Sequence, residues 1–318
     1  MEMPLSLPLF LYLGLLSTIA AVPSPSQAQG PPESSALRFL AIGDVPYSDT
    51  EMFHLQTLLR DGAAEDPPFI LHVGDIKGGG QACSDARIQG VADLFRSQPV
   101  PLLYTPGDNE WTDCHRPRAG GRDPLERLAL LRRMMYADPL VLHSDTLSPT
   151  TPDPAYPENR YFHHDGILFL LMHVVGSNNN FRDNNAAAMA EHRARAEANR
   201  VLLEQAVQAA NRLDARAFVL AFHANPLFEA RMPRRGFVPV IQNLQRLLAQ
   251  YPGPVLLIHG DTHRFRFDQP LTDTQGVPIE RFTRLEVPGS PSVAGVWVTV
   301  QTHVRPAFSA QLVYPTID

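Results

Sequence analysis

Four Gly-Asp pairs punctuate this chain: Gly43-Asp44, Gly74-Asp75, Gly107-Asp108 within GDNE, and Gly260-Asp261 within GDTH. Each closes an apolar run, and a fifth apolar run, AFVLAFHANP, is interrupted at His223. One Gly-Asp at a strand end is an ordinary turn. Five polar strand ends on one rim of a parallel sheet would gather four carboxylates with the imidazoles of His223 and His263. Carboxylates packed that closely cannot all stay ionised without cations. A pair of divalent ions about 3.5–4 Å apart, sharing a bridging carboxylate, resolves the conflict. The alternative, aspartates capping helix N-termini, explains one or two of them but not the set.

Such a rim requires strands that end together. LRFLAIGD, PPFILHVGD and PLLYTPGDNE read as buried strands running into turns. Helical patterns separate them: Glu51 to Arg60, VADLFRSQ, and LERLALLRRMMY. YFHHDGILFLLMHVVGSNN holds two strands around Asp165-Gly166, a hairpin signal. The longest helix is expected from about Ala186 to Leu213, rich in Ala, Glu, Arg and Gln without Pro or Gly. AFVLAFHANP and PVLLIHGDTH are further buried strands with the helix VPVIQNLQRLLAQY between them. AGVWVTVQ and AFSAQLVY read as antiparallel strands, and the proline-rich stretch from Leu147 to Pro157 as a surface loop. Strands alternating with helices give an α/β layered domain, whose functional residues sit beyond the carboxyl ends of the strands.

The ordered series GD, GD, GDNE, H, GDTH resembles the calcineurin-like metallophosphoesterases, purple acid phosphatases included. The resemblance runs from about Arg38 to His263, and NRYFHHDGILFLLMHV is similar to the family's mid-domain strand pair. It implies an α/β fold of two packed mixed sheets flanked by helices. It also implies a hydrolytic site with two divalent ions (Mn, Mg, Fe or Zn) and attack on phosphorus by a metal-bound hydroxide. Position by position, Asp44 matches the first-metal aspartate and Asp75 the bridging one. Asp108 falls where the family has a metal-binding asparagine, and His223 matches the lone histidine of the second metal. Asp261 and His263 stand at the two histidines of Gly-His-x-His.

Three departures follow. Pro46 stands where many members have a metal-binding histidine, and Asp261 replaces another. Asn109 replaces the histidine that assists the leaving group, and an amide cannot donate a proton as an imidazolium can. His115 is an alternative source of that acid. Asp44, Asp75, Asp108 and Asp261 together cancel two divalent cations, and an oxygen-rich donor set favours Mn²⁺ or Mg²⁺ over Zn²⁺. Lys77, the single lysine among 27 basic residues, is two positions past Asp75 and is expected to return positive charge to the phosphate side, with Gly78, Gly79 and Gly80 leaving room for substrate. The plainer reading is an exposed lysine on a turn. His72 and Trp111 are expected to pack, Glu110 to orient the Asn109 turn, His259 to orient a ligand or to pack, and Tyr47 to contact substrate.

Among the 318 residues, 44% are hydrophobic and 19% charged, values of a globular chain long enough to bury a full core. A net charge of -6 argues against nucleic acid as a partner and against a nuclease with a basic groove. Leu5 to Val22 is almost wholly apolar and SPSQAQG follows, so residues 1–28 read as a signal peptide cleaved after Ala28, with the catalytic domain from 37 to 318. A retained anchor is the alternative, because MEMP lacks Lys and Arg and about 20 apolar residues suffice to span a membrane. After leader removal no membrane association is expected, and the location is secreted or periplasmic. Cys83 and Cys114 both follow Gly-Asp turns and are expected to form a disulfide if those turns are neighbours; two separate thiols are the alternative. Together these features point to an exported phosphoesterase acting on small phosphate esters. A non-catalytic metal-binding protein on the same scaffold is the alternative, motivated by Asn109 and Pro46.

Overall fold

The computed structural model describes residues 36–136, 147–230, 232 and 234–317. The expected signal peptide, residues 1–28, lies outside the described residues. In chain order the elements are β1 (Leu37–Ile42), α1 (Asp49–Ala64), β2 (Ile70–His72), α2 (Asp85–Arg96), β3 (Leu102–Tyr104) and α3 (Pro124–Tyr136). The hairpin β4 (Arg160–His164) and β5 (Ile167–Leu171) follows, then the one-turn segment α4 (Gly176–Asn179), α5 (Ala186–Arg212), β6 (Ala217–Ala221) and α6 (Val238–Gln250). The remaining strands are β7 (Val255–His259), β8 (Arg266–Asp268), β9 (Phe282–Glu286), β10 (Gly295–Val300) and β11 (Phe308–Val313).

Two mixed sheets result, ordered β11-β10-β1-β2-β3 and β4-β5-β6-β7-β9-β8. In the first, β1, β2 and β3 run parallel; in the second, β5, β6, β7 and β9 do. The period-2 alternation of side chains turns each strand into a two-faced element. From β1, Phe39 and Ala41 face the second sheet, while Leu40 and Ile42 join Leu55, Leu58, Val91 and Phe95 of α1 and α2. From β6, Val219 and Ala221 face the first sheet, while Phe218 and Leu220 meet α5 and α6 through Leu203, Ala206 and Leu244. The layers are therefore helix, sheet, sheet, helix, the α/β sandwich that the family resemblance implies. An aromatic cluster clasps the sheets: Phe39 to Phe69 is 4.9 Å between centroids, Phe69 to Phe169 5.1 Å, and Phe162 stacks on Phe169 at 4.9 Å. Aromatic pairs of this kind add roughly 0.5–1.5 kcal/mol beyond their buried area.

Two strands escaped the sequence pattern. β9 is wholly buried and pairs in parallel with β7, yet Thr283, Arg284 and Glu286 break its apolar run. Arg284 is tolerated there because Asp268, on the paired strand β8, and Glu229 both accept from its guanidinium, at 2.6 to 2.8 Å. Among the described residues, no helix is long and apolar enough to cross a membrane.

β2 and β3 are direct neighbours, with His72 opposite Tyr104, so the loops that follow them lie side by side. Cys83 and Cys114 form a disulfide between these loops, and both sulfurs pack on the Asn109 carbonyl at 3.5 and 3.6 Å. The sequence separation of 31 residues sets the entropy that the bond removes from the unfolded chain. The double replacement Cys83→Ser with Cys114→Ser should cost about 3–4 kcal/mol of stability by the chain-entropy relation. Denaturant titration of parent and variant measures it, and identical midpoints would refute a stabilising role.

Candidate metal centre

β1, β2, β3, β6 and β7 all end at one edge of the sandwich, and their outgoing loops carry the candidate residues. Asp44, Asp75, Asp261 and His263 adopt left-handed φ values of 57°, 58°, 80° and 59°. Aspartate tolerates that region better than most residues, and such strain concentrates at functional sites. The loops approach one another closely. A side chain on Gly107 would place its Cβ 2.1 Å from Asp75 Oδ1, which is why the third motif needs glycine before its aspartate.

His223 is the hub. Its Nδ1 lies 2.9 Å from the Val73 carbonyl, a bond that spans the two sheets and leaves Nε2 facing the carboxylates. Nε2 is 3.1 Å from Asp108, 3.4 Å from Asp75 and 3.9 Å from Asp261. Ligand atoms of Asp44, Asp75 and His223 lie within 4.8 Å of one another, and so do those of Asp108, His223 and Asp261. Asp44 also accepts from the Asp261 amide at 3.1 Å through each of its carboxylate oxygens, and Asp44 Oδ1 is 3.6 Å from His263 Nε2. His263 is aimed by the Ser290 carbonyl, 2.7 Å from its Nδ1. All six residues read as metal ligands in the sequence are thus gathered in one place.

The electrostatics are those of carboxylates crowded around one imidazole. Burial pushes the Asp44 and Asp75 carboxyls well above their usual range; His223 opposes this, and the neighbouring carboxylates reinforce it. Burial likewise lifts Asp261 to about 6, against the pull of His223. Asp108 goes the other way, to about 2, because the hydrogen bond and charge of His223 and the Ser177 hydroxyl outweigh its burial. Burial disfavours a charged His223, yet Asp75, Asp108, Asp44 and Asp261 raise its pKa well above 6.5. Three buried carboxylates and the half-buried Asp261, gathered around the His223 imidazole, are a donor set suited to divalent cations.

Three further residues named from the sequence, Asn109, Lys77 and Tyr47, lie within or beside this group, and one of them, Lys77, is placed against expectation. Asn109, read as standing where the family has its leaving-group histidine, is engaged with a candidate ligand: its side chain donates to Asp75 Oδ2 at 2.5 Å and its backbone amide to Asp75 Oδ1 at 3.0 Å. Lys77 is neither exposed nor on the open rim. It is fully buried, and its Nζ donates to the Gly78 carbonyl at 3.0 Å. Burial lowers its pKa, opposed by Glu110, Asp75 and Asp113. A cation without solvent access cannot meet an incoming phosphate, so its expected contact with substrate gives way to balancing charge beside Glu110 and Asp75. Tyr47, expected to contact substrate, has its hydroxyl among the candidate ligands, 2.9 Å from Asp75 Oδ2 and 3.3 Å from His263 Nε2. Burial, Asp75 and Asp44 raise its pKa.

Glu110 does orient its turn. Its Oε1 accepts from the Asp75 amide (3.1 Å), the Gly107 amide (2.6 Å) and the Tyr104 hydroxyl (2.6 Å), tying the ends of β2 and β3 together. His72 is a buried neutral imidazole, held near 3 chiefly by burial, that contacts the Val45 carbonyl and the Gly74 amide. Ser177 was not foreseen. Its hydroxyl lies 2.7 Å from Asp108 and 2.8 Å from Asp113, presented by residues 177–180, all at left-handed φ. Gly176 before it is forced, since a Cβ there would fall 2.5 Å from Asp108 and 2.6 Å from Asp261. The SNNN run was a signal of sorts, because asparagine adopts this conformation readily.

The calcineurin-like phosphoesterase family model matches residues 37–265. No curated protein sequence matches the chain significantly. Among solved structures, the chain is similar to a dimetal phosphatase from Danio rerio (LOC 393393), 12% identical with a TM-score of 0.50 over 88% of this chain and 99% of the other. Purple acid phosphatase PPD1 from yellow lupin (Lupinus luteus) seeds is 13% identical, with a TM-score of 0.52 over 89% of this chain and 52% of its own. GAP50, the anchor in the inner membrane complex of Plasmodium, is 11% identical, with a TM-score of 0.50 over 89% of this chain and 90% of its own. At these identities the likeness is one of fold. The family match, by contrast, is made on sequence and spans every candidate ligand from Asp44 to His263, and on that ground the chain belongs to the calcineurin-like phosphoesterases.

Proposed function

We propose that this chain is an exported phosphoesterase that hydrolyses small organic phosphate esters with two divalent cations. The observation that carries the reading is the convergence of Asp44, Asp75, Asp108 and Asp261 on His223, with ligand atoms of each group within 4.8 Å. Asp44, Asp75 and His263 would hold one cation, with the Tyr47 hydroxyl beside them. Asp75, Asp108, His223 and Asp261 would hold the other. Asp75 suits the bridging role because Oδ1 faces His223 while Oδ2 faces Tyr47. Val73 and Ser290 carbonyls fix both imidazoles with Nε2 toward the carboxylates, the usual arrangement for ligating histidine. The oxygen-rich set favours Mn²⁺ or Mg²⁺.

When bound, such cations polarise phosphoryl oxygens and make water nucleophilic at neutral pH. The chain's own residues set what else is possible. Asn109 holds Asp75 in place and supplies no proton to a departing alkoxide. Esters whose leaving group departs unprotonated, such as aryl phosphates, should therefore be better substrates than alkyl phosphates. Export is supported by the apolar leader and by the disulfide, which persists in oxidising compartments. A non-catalytic metal-binding role is the second reading. It is favoured by the engagement of Asn109, and GAP50, described as an anchor, has a similar fold.

Purified protein with Mn²⁺ should hydrolyse an aryl phosphate, lose the activity to a chelator and regain it with metal. Two bound ions without hydrolysis would favour the second reading instead. Metal analysis tests the ligand assignment separately. Asp75→Asn should lose both ions, whereas His223→Ala should chiefly lose the ion beside Asp108 and Asp261. Retention of two ions by Asp75→Asn would overturn the bridge.

A further inference from the structure

Four aspartates balance two divalent cations, so the metal centre itself offers an anionic substrate little net attraction. Lys77 is sealed beneath it. The accessible positive charge lies elsewhere, in a cavity of about 580 Å³ lined by His115, Arg116, Ser177, Arg182, Asn184 and Asn185, with Asp113 as the sole carboxylate in its wall. Ser177 joins this cavity to the metal centre, because its hydroxyl is 2.7 Å from Asp108. Arg116 runs along the boundary between the two. Its Nη2 contacts Ser177 at 3.2 Å and Asp113 at 2.7 Å, and its Nη1 lies over Gly79 next to the Asn109 side chain. Arg182 stands across from it, with Nη2 held by the Thr112 carbonyl at 2.9 Å and 3.3 Å from His115 Nδ1. These contacts use Nη2 of each guanidinium, and a guanidinium carries five donor hydrogens.

We propose that Arg116 and Arg182 form a second anion subsite, so that the preferred substrate is a small phosphate ester whose organic part carries another carboxylate or phosphate. This rests on the phosphoesterase reading and names the substrate class for the same site. The phosphoryl group would occupy the metal centre while the second anion enters the cavity past Ser177. Planar guanidiniums held at one nitrogen present their remaining donors in the fork geometry that matches a carboxylate or phosphate. The amide side chains of Asn184 and Asn185 complete a polar wall, which suits a hydrated organic acid and not an apolar leaving group.

The test uses Mn²⁺-loaded protein and two non-hydrolysable ligands, 4-phosphonobutanoate and butylphosphonate, followed by titration calorimetry. The parent should bind the carboxylate-bearing ligand roughly tenfold tighter or more, as expected for a charge-assisted contact. Arg116→Gln with Arg182→Gln should bring the ratio close to one. The Arg→Lys pair, which keeps the charge but not the planar fork, should restore only part of it, and Arg118→Gln, exposed and outside the cavity, should leave it intact. Equal binding of both ligands by the parent overturns the subsite, as does a ratio unaffected by the double Gln variant or lowered equally by Arg118→Gln. Hydrolysis of phenyl phosphate and 4-carboxyphenyl phosphate is measured in parallel. If neither is cleaved while the binding ratio holds, the anion subsite stands and the hydrolytic reading falls.

Discussion

Mutual repulsion among four crowded aspartates, three of them buried, governs the architecture where the two sheets meet. Asp44, Asp75 and Asp108 leave one sheet, while His223 and Asp261 leave the other, so the charge can be concentrated only if the sheets are locked at that edge. The lock is partly the Phe39–Phe69–Phe169 cluster and partly the bond from His223 to Val73. Charged groups brought this close in a weakly screened interior interact far more strongly than they would in water. The raised carboxyls of Asp44, Asp75 and Asp261 and the raised imidazole of His223 are the two faces of that one constraint.

Holding the aspartates there demands loops in unfavourable conformations, and the surrounding structure over-determines them. Left-handed residues cost of order 1–3 kcal/mol each when not glycine. Glu110 offsets part of this by accepting from the Asp75 and Gly107 amides at once. Behind the Ser177 turn, Arg195 is fully buried and donates to Glu191, Asn179 and the His173 carbonyl. Beside it, Glu158 joins His173 at 2.7 Å to Arg132 at 2.6 Å. Burial works against the Glu158 charge, but both partners outweigh it and take its pKa to about 2. The Arg195 bonds to Asn179 and the His173 carbonyl brace the turn that presents Ser177 to Asp108.

Charge also separates the two basic residues nearest the centre. Lys77 is enclosed, so its ammonium acts through the field it exerts on Glu110 and Asp75. Arg116 sits where solvent and ligand can reach it, with its orientation set by Asp113 and Ser177. Proximity in sequence to Asp75 made Lys77 the natural candidate for phosphate. Burial withdraws Lys77 from that part, while the guanidinium of Arg116, from the loop after β3, stays exposed beside Ser177 and Asp113.

Much of this was legible in the chain alone. Apolar runs ending in Gly-Asp located the strands and the ligands, since buried parallel strands must be apolar and their outgoing turns must be tight. The helix at 186–212 and the Asp165-Gly166 hairpin were equally plain, because uninterrupted helix formers and a turn dipeptide act locally. The pairing of Cys83 with Cys114 followed once β2 and β3 were neighbours. β9 was not legible, because Arg284 and Glu286 are made tolerable by Asp268 and Arg266 on the neighbouring strand β8, by Glu229 and by the Thr262 hydroxyl, all of them outside β9 itself. Nor could sequence order show that Tyr47 would reach Asp75 and His263, that Ser177 would meet Asp108, or that Lys77 would be sealed. Local sequence determined which segments are strands, helices and tight turns. Side-chain direction and solvent access depend on what packs against them from far along the chain, and the tertiary structure alone decided those.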